Sequence, residues 1–384
     1  MTTSEMEKLI ENYFDDMEQP ETTGEKYPAM GTIPKGHGFQ VAAFSEKEVV
    51  DDDLWLTRVK PWEAEVESRA YRAKHVPLAL ANYIIGDRFD ILSRIEGTPL
   101  KGGYAGRDNM MNYLDWGDIV LIAKHGRWEE AVSILEQETR RAIKYGFTEF
   151  EVRDVKARLL AYYEALVLNK DSRESTGLSW DLLDTLNGLS VFATPETDLE
   201  VMQESLQQTS LDDINKAFRD YWGTKDLTLF LTTKEELNES TEETLKELYL
   251  ESQKVKVDPP EQREQIVWAY TDFGPAGTVV SDTTIEDLKI RQLTLSNNIR
   301  VNMKYTDFDA GYVDVVARFG TGKLEQPPRP WFDKFTEHVM DYGGLGKHSW
   351  EEIDKIFADN SVWVSSQHGS HVYELLDDLT MFFL

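Results

Sequence analysis

The stretch Tyr145-Gly-Phe-Thr-Glu-Phe-Glu151 constrains this chain more than any other, because it ends one helix and starts the next. Upstream, Trp128 to Tyr145 places Val132, Leu135, Thr139, Ala142 and Ile143 on one inner face, and Gly146 stands where a C-cap residue belongs. Two residues later Thr148, with Glu151 three positions on, has the pattern of a capping box. Val152, Val155, Leu159, Tyr162 and Leu166 then continue along one stripe. Around this pair, Asp53 to Lys60 alternates like a strand, and Ser210-Leu-Asp-Asp213 caps a helix reaching Trp222. Asp226 to Thr232 reads as another strand. Together these elements predict an α+β domain ending near Thr233.

The flanks are organised differently. Residues 4–16 form an amphipathic pattern with Met6, Leu9, Ile10 and Tyr13 on one side, followed by a Pro- and Gly-rich connector from Gln19 to Gly38. Glu63 to Arg94 is helical in pattern, with Pro77 expected to kink or break it. Met110 to Lys124 reads as two strands around Asp115-Trp-Gly-Asp118, a turn by composition. Lys234 to Val257 is charged and helical, the composition of a solvated linker helix, and Gln265 to Leu288 reads as an extended connection.

A second set of elements starts at Leu293. Ile299 to Lys304 and Gly311 to Phe319 are expected strands, and Trp331 to Tyr342 an expected helix ended by Gly343-Gly-Leu-Gly346. Ser349 with Glu352 forms another capping box, Ser361 to Ser366 a third strand, and Met381 to Leu384 falls in an apolar helical pattern. A domain that stops inside a buried helix lacks its covering layer, so this last unit is expected to be truncated.

Charge and composition exclude several classes. Lys and Arg number 41 against 70 Asp and Glu, a net charge of −29, which repels nucleic-acid backbones and anionic lipid. The absence of cysteine removes disulfides, thiolate metal sites and thiol nucleophiles. No apolar run approaches the ~20 residues a membrane span needs.

No complete active site can be read from the residues. The histidines are His37, His75, His125, His338, His348, His368 and His371. A zinc hydrolase needs paired ligands at helical spacing plus a base, and neither His-Glu-x-x-His nor its inverse is complete here. The nearest approach, Lys334-Phe-Thr-Glu337-His338, has lysine at the first ligand position, so an ordinary helix is the better reading. His368, His371 and Glu374 could share a helical face as a three-ligand set, but Gly369 opposes a regular helix there. No Gly-x-Ser-x-Gly elbow occurs, and Gly102-Gly-Tyr-Ala-Gly-Arg107 and Gly320-Thr-Gly-Lys323 lack phosphate-loop context and are expected to be turns. Acidic pairs are too numerous to single out a general acid and base. No catalytic or metal residue is therefore assigned, and the residue pattern leaves the substrate-binding residues unknown.

Leu295-Ser-Asn-Asn-Ile-Arg-Val-Asn-Met-Lys-Tyr-Thr-Asp-Phe308, then Val313 to Gly320 and Gly343-Gly-Leu-Gly-Lys-His-Ser349, resemble the opening of a repeat in the pitrilysin/insulinase zinc peptidases. Tyr145 to Glu151 resembles a helix junction of that family, and Glu7-Lys-Leu-Ile-Glu-Asn-Tyr-Phe14 the last helix of a preceding repeat. The similarity is to the long bacterial subgroup of four α+β repeats. It implies metallopeptidase-type repeats of mixed or antiparallel sheet covered by helices and joined by a helical linker. The implied layout is 1–38 as the tail of a preceding repeat with a connector, 39–233 as a second, non-catalytic repeat, 234–288 as a charged linker, and 289–384 as the first part of a third.

The same resemblance implies zinc in the full-length enzyme, held outside this chain, with none bound here. It implies peptide or unfolded protein as substrate, the remaining repeats or a catalytic subunit as partners, and a periplasmic or envelope location. The expected role is to help enclose substrate within a zinc-dependent metalloendopeptidase; the alternative is a stand-alone degenerate pseudo-peptidase acting as a structural or partner subunit. Either way the chain is expected to be inactive alone.

Overall fold

The computed structural model describes residues 2–17, 31–33, 36–63, 65–110, 113–188, 190–260, 266–306, 312–320, 329, 331–332, 334–335, 339, 343–356, 362–368 and 373–380. The chain divides into one compact unit up to residue 35 and another from Gly36 onward.

The first unit carries α1 (Thr3–Phe14), opened by a capping box between Thr2 and Glu5. Its expected apolar face is exposed: Met6, Leu9, Ile10 and Tyr13 all lie open. Most of the connector expected at 19–38 lies outside the described residues.

The second unit begins with a five-stranded mixed sheet, in the order β1-β5-β2-β4-β3: β1 (Gln40–Ser45), β2 (Asp52–Pro61), β3 (Leu100–Met110), β4 (Leu114–Ala123) and β5 (Thr228–Thr233). Only β1 and β5 run parallel. Between them the chain forms α2 (Arg69–Ser93), α3 (Trp128–Tyr145), α4 (Glu149–Leu168), α5 (Ser175–Gly188), α6 (Pro195–Gln208) and α7 (Leu211–Trp222). Alternate residues of a strand face opposite sides, and Leu54 and Leu56 on β2, Ile119 and Leu121 on β4, and Leu229 and Leu231 on β5 are wholly buried. Ile84, Ile85 and Phe89 of α2, Leu135 of α3 and Phe218 and Trp222 of α7 complete that core. Trp222 also donates its indole N–H to Asn82 Oδ1 at 3.1 Å, so its polar edge is satisfied inside.

The helix junction performs as its sequence predicts. Gly146 has φ +75° and its N–H donates to the Ala142 carbonyl at 2.9 Å. Thr148 and Glu151 form both halves of the capping box. Glu151 does more than cap, since it accepts Nε and Nη2 of the buried Arg88 at 2.6 and 2.9 Å. Arg88 also lies over Phe147, with its guanidinium carbon 5.0 Å from the ring centre. One short stretch thus ties α2, α3 and α4 together.

Four local expectations need correction. Pro77 sits inside α2, and the helix continues on both sides of it. Asp115-Trp-Gly-Asp118 is no turn but the interior of β4. Gly102 to Arg107 is likewise no turn; it is the middle of β3, where glycine serves close packing. A Cβ on Gly103 would meet Phe89 Cβ at 2.9 Å and the Val120 carbonyl at 2.7 Å, so only glycine lets α2 lie this close to the sheet. The charged segment after Thr233 contains α8 (Thr241–Ser252), which is not a solvated helix. Leu245 and Tyr249 are buried, with the Tyr249 ring stacked 4.5 Å from Phe39.

Beyond this sheet, β6 (Val279–Ile285), β7 (Ile290–Leu295) and β8 (Arg300–Lys304) form an antiparallel sheet, so the connection expected up to Leu288 already contains a strand. β9 (Tyr312–Phe319), α9 (Trp350–Ile356), β10 (Val362–His368) and β11 (Tyr373–Thr380) follow, with β11 central between β10 and β9. The Ser349–Glu352 capping box of α9 is present. Met381 to Leu384, and much of the helix expected over Trp331 to Tyr342, lie outside the described residues.

Candidate functional site

At one end of the five-stranded sheet, the last residues of β2, the middle of β3, the start of β4, the first turns of α2 and the end of α7 surround a hollow of about 420 Å³. Its floor is Asp115, whose side chain is 4% exposed. Arg107 grips that carboxylate with two hydrogen bonds of 2.8 and 2.6 Å, Lys60 adds an ion pair at 3.0 Å, and the Tyr221 hydroxyl donates to it at 3.1 Å. Burial by itself would raise the Asp115 carboxyl, but Arg107 and Lys60 outweigh it and hold the group below its ordinary range. Burial and the Asp115 charge push the Tyr221 phenol well above its usual value, so it remains a donor.

The Tyr221 ring is the hub of a cationic cluster. Arg58, Lys60 and Arg107 place their charges 4.6, 5.7 and 5.9 Å from its centre. Arg58 donates to the carbonyls of Asp220 and Tyr221 at the end of α7. Gly117 on β4 makes the room, since a Cβ there would stand 2.6 Å from the Tyr221 oxygen. On the α2 side, His75 stacks on Tyr71 with centroids 4.2 Å apart, and its Nδ1 lies 2.9 Å from the Tyr71 carbonyl. A carbonyl can only accept, so Nδ1 carries the proton and Nε2 is the bare acceptor. Burial, helped by Arg107 and Lys74, lowers this imidazole to about 4, so it is neutral near pH 7. Trp62, at the mouth, has a buried indole N–H with no hydrogen-bond acceptor.

A second hollow, of about 470 Å³, lies between α2, α3 and α4 and is closed by Asp258-Pro-Pro260. Carboxylates outnumber cations in its lining: Arg88 pairs with Glu151 and Arg141 with Glu138, while Asp154 and Asp258 pair with Arg158 and Lys256 outside it. Asp87 at its edge pairs with Arg158. There one cation, Arg158, serves two carboxylates, whereas in the first hollow two cations share one carboxylate.

The metal-ligand candidates read from the sequence are not brought together. His368 ends β10 and Glu374 lies on β11, with His368 opposite Tyr373 and Gln367 opposite Glu374. His368 and Glu374 thus lie on paired antiparallel strands and not on one helix. His371, Glu337 and His338 lie outside the described residues. Among the described residues no three His, Asp or Glu side chains are placed to hold a metal ion. Lys334 stands where the inverted motif has its first ligand, and the described residues offer no set that fits zinc.

His348 has a structural role. It accepts the Ala269 N–H at Nε2 at 2.9 Å and meets Glu352 at 3.2 Å through Nδ1. Its ring also stacks on Trp268 with centroids 5.1 Å apart. His75, Arg107 and Asp115 were each named from sequence, but not as one site, because the lining residues come from five elements and their pairing is long-range. The one local signal was Asp115-Trp-Gly-Asp118, which supplies both the acceptor and the glycine.

Comparison with known proteins agrees with this architecture. No protein-family model and no curated protein sequence matches the chain. Among solved structures, the periplasmic protease PqqL from Escherichia coli superposes with a TM-score of 0.58 at 17% identity, covering 99% of this chain and 42% of that one. A predicted insulinase family protease from Yersinia pestis gives 0.55 at 15% identity over 66% of this chain and 54% of its own. Pitrilysin gives 0.51 at 11% identity over 99% and 40%. The chain thus spans about two fifths of the length of PqqL. Among the described residues no helix is long and apolar enough to cross a membrane. The α+β fold of this chain is the fold of the pitrilysin/insulinase peptidases.

Proposed function

We propose that this chain is a non-catalytic portion of a zinc-dependent metalloendopeptidase, one that helps enclose the peptide substrate and leaves the zinc site to residues outside it. The observation that carries the reading is the likeness to PqqL, which runs through 99% of this chain yet accounts for 42% of that protease. In this reading residues 1–38 are the tail of a preceding repeat and its connector, and 39–233 the second repeat. Residues 234–288 are then the linker, although α8 packs on the second repeat and β6 joins the sheet that follows. Residues 289–384 begin the third repeat. A periplasmic location and a peptide or unfolded-protein substrate are carried over from the proteases it resembles. Metal-assisted hydrolysis in the assembled enzyme would draw its base and ligands from outside this chain.

The alternative is a pseudo-peptidase that works as a partner subunit. It is favoured by the apolar residues that β9 leaves open on both faces, Val315 and Val316 among them.

The test is direct. The purified chain, dialysed against zinc and assayed for metal content and for cleavage of an unfolded peptide, should bind the peptide, retain no stoichiometric zinc and cleave nothing. Zinc-dependent cleavage abolished by His371→Ala would overturn the proposal. A stable hetero-oligomer with a complete peptidase, recovered from source cells, would favour the partner-subunit reading.

A further inference from the structure

We infer that the hollow around Tyr221 is a carboxylate-binding subsite for peptides, formed where Lys60 and Arg107 share the single buried carboxylate of Asp115. The inference rests on the peptide-enclosing role proposed above and assigns a ligand chemistry to one place in it.

The lining holds four cations and four carboxylates, but they are not evenly spread: at the floor Arg58, Lys60 and Arg107 stand against Asp115. On the rim, Lys74 pairs with Glu65 at 2.8 Å and Asp220 with Lys216 at 2.5 Å, and the exposed Glu63 adds one negative charge. On the floor, Asp115 neutralises one of two cations and leaves an excess positive charge between Lys60 and Arg107. Arg58 adds a further charge, and its hydrogen bonds go to neutral carbonyls. In a molecule of net charge −29, a recess floor with cationic excess stands out. A carboxylate entering it would take charge-assisted hydrogen bonds, which are about twice as strong as neutral ones.

Donors and acceptors also match a peptide. Lys60 keeps 43% of its side chain exposed, so its ammonium can turn from Asp115 toward a ligand while Arg107 and Tyr221 hold Asp115 in place. The Trp62 N–H offers a further donor to a carboxylate oxygen. Nε2 of neutral His75 offers an acceptor for a backbone N–H. Donors at one end and an acceptor at the other suit a carboxylate followed by an amide, a combination found at a peptide C-terminus and, less regularly spaced, at an acidic side chain.

The experiment uses the full chain and three fluorescein-labelled peptides of Ala, Ser and Phe: one with a free C-terminus, one ending in an amide, and one amidated with a single internal Glu. Fluorescence anisotropy should give about tenfold tighter binding for a carboxylate-bearing peptide than for the neutral amide, the worth of one charge-assisted contact. A preference for the free acid assigns the C-terminus as the source, and a preference for the Glu peptide assigns the side chain. Lys60→Met should bring the preferred peptide to within about twofold of the amide, whereas Lys246→Met, on the solvent-facing side of α8, should leave the ratio unchanged. Trp62→Phe, which keeps an aromatic ring and removes the N–H, should narrow the preference without abolishing it.

Equal binding of all three peptides would overturn the carboxylate subsite and leave the peptide-enclosing role standing. Binding of none would overturn both. A preference that survives Lys60→Met would place the carboxylate elsewhere and overturn the assignment to this hollow.

Discussion

The two sheet systems of the second unit use the same vocabulary of strands and helices and end in different states. The five-stranded sheet, with α2, α3, α7 and α8, buries a continuous core in which Leu54, Leu56, Ile119, Leu121 and Trp222 have no solvent contact. Beyond Val257, His348 is the one buried residue among those whose burial is described, which do not include β10 and β11. On β9 Val315 and Val316 face opposite sides and are 41% and 45% exposed, so neither face of that strand is covered. Strand pairing therefore forms sheets in both regions, but among the described residues only the first shows a helical layer that removes apolar area from water. The difference teaches that hydrogen-bonded ladders define a sheet's shape, whereas most of its stability comes from what covers it.

Three measurements would break or sharpen that contrast. The largest effect belongs to the core: Trp222→Ala should cost about 3–5 kcal/mol in urea denaturation, while Val316→Ala stays within about 0.5 kcal/mol. Equal losses would mean that the second region is covered in solution and that the contrast is wrong.

A middling effect is expected in the second region, around its one described buried residue. His348→Ala removes the acceptor of the Ala269 N–H and the ring stacked on Trp268, and should cost about 1–2 kcal/mol. Its signature is local, namely faster amide exchange around residues 266–270 with unchanged protection in β2 and β4. Exchange that accelerates throughout the molecule would show that this contact supports more than its own region.

The smallest effect concerns charge within the covered region. Burial raises Asp87 to about 6, against the attraction of Arg158. Between the ordinary carboxyl value and about 6, the folded chain binds more protons than the unfolded one, so stability falls as pH rises through that window. The penalty is complete above it. Because the side chain is 36% exposed, about 1 kcal/mol is a fair magnitude after screening. Asp87→Asn should therefore gain roughly that much relative to wild type between pH 4 and pH 7. Asp282 in the second region is exposed and held low by its hydrogen bond to Arg291. Asp282→Asn should show no such gain, and an equal gain would remove burial as the cause.

How far the sequence could be read follows from the range of each interaction. Helix ends depend on contacts three or four residues apart, and the capping boxes at Thr148–Glu151, Ser210–Asp213 and Ser349–Glu352 are all present as written. The glycines misled, because Gly102, Gly103 and Gly106 weaken a strand by local propensity, yet Gly103 is required by Phe89 pressing on it from α2. The charged α8 misled for a related reason. Its few apolar residues, Leu245 and Tyr249, suffice to fix it once a sheet is there to receive them.

The sequence by itself therefore determined the caps, the α+β alternation, the acidity and the lack of thiols, along with the family likeness carried by short motifs in order. All of these are local or additive properties of the chain. Tertiary structure alone decided that Arg58, Lys60, Arg107, Asp115 and Tyr221 share one hollow, with Tyr221 reaching Asp115 across 106 residues of chain. It also decided that Lys60 and Arg107 would meet a single carboxylate. A local excess of charge depends on distances that only the closed sheet fixes, and no spacing in the sequence encodes them.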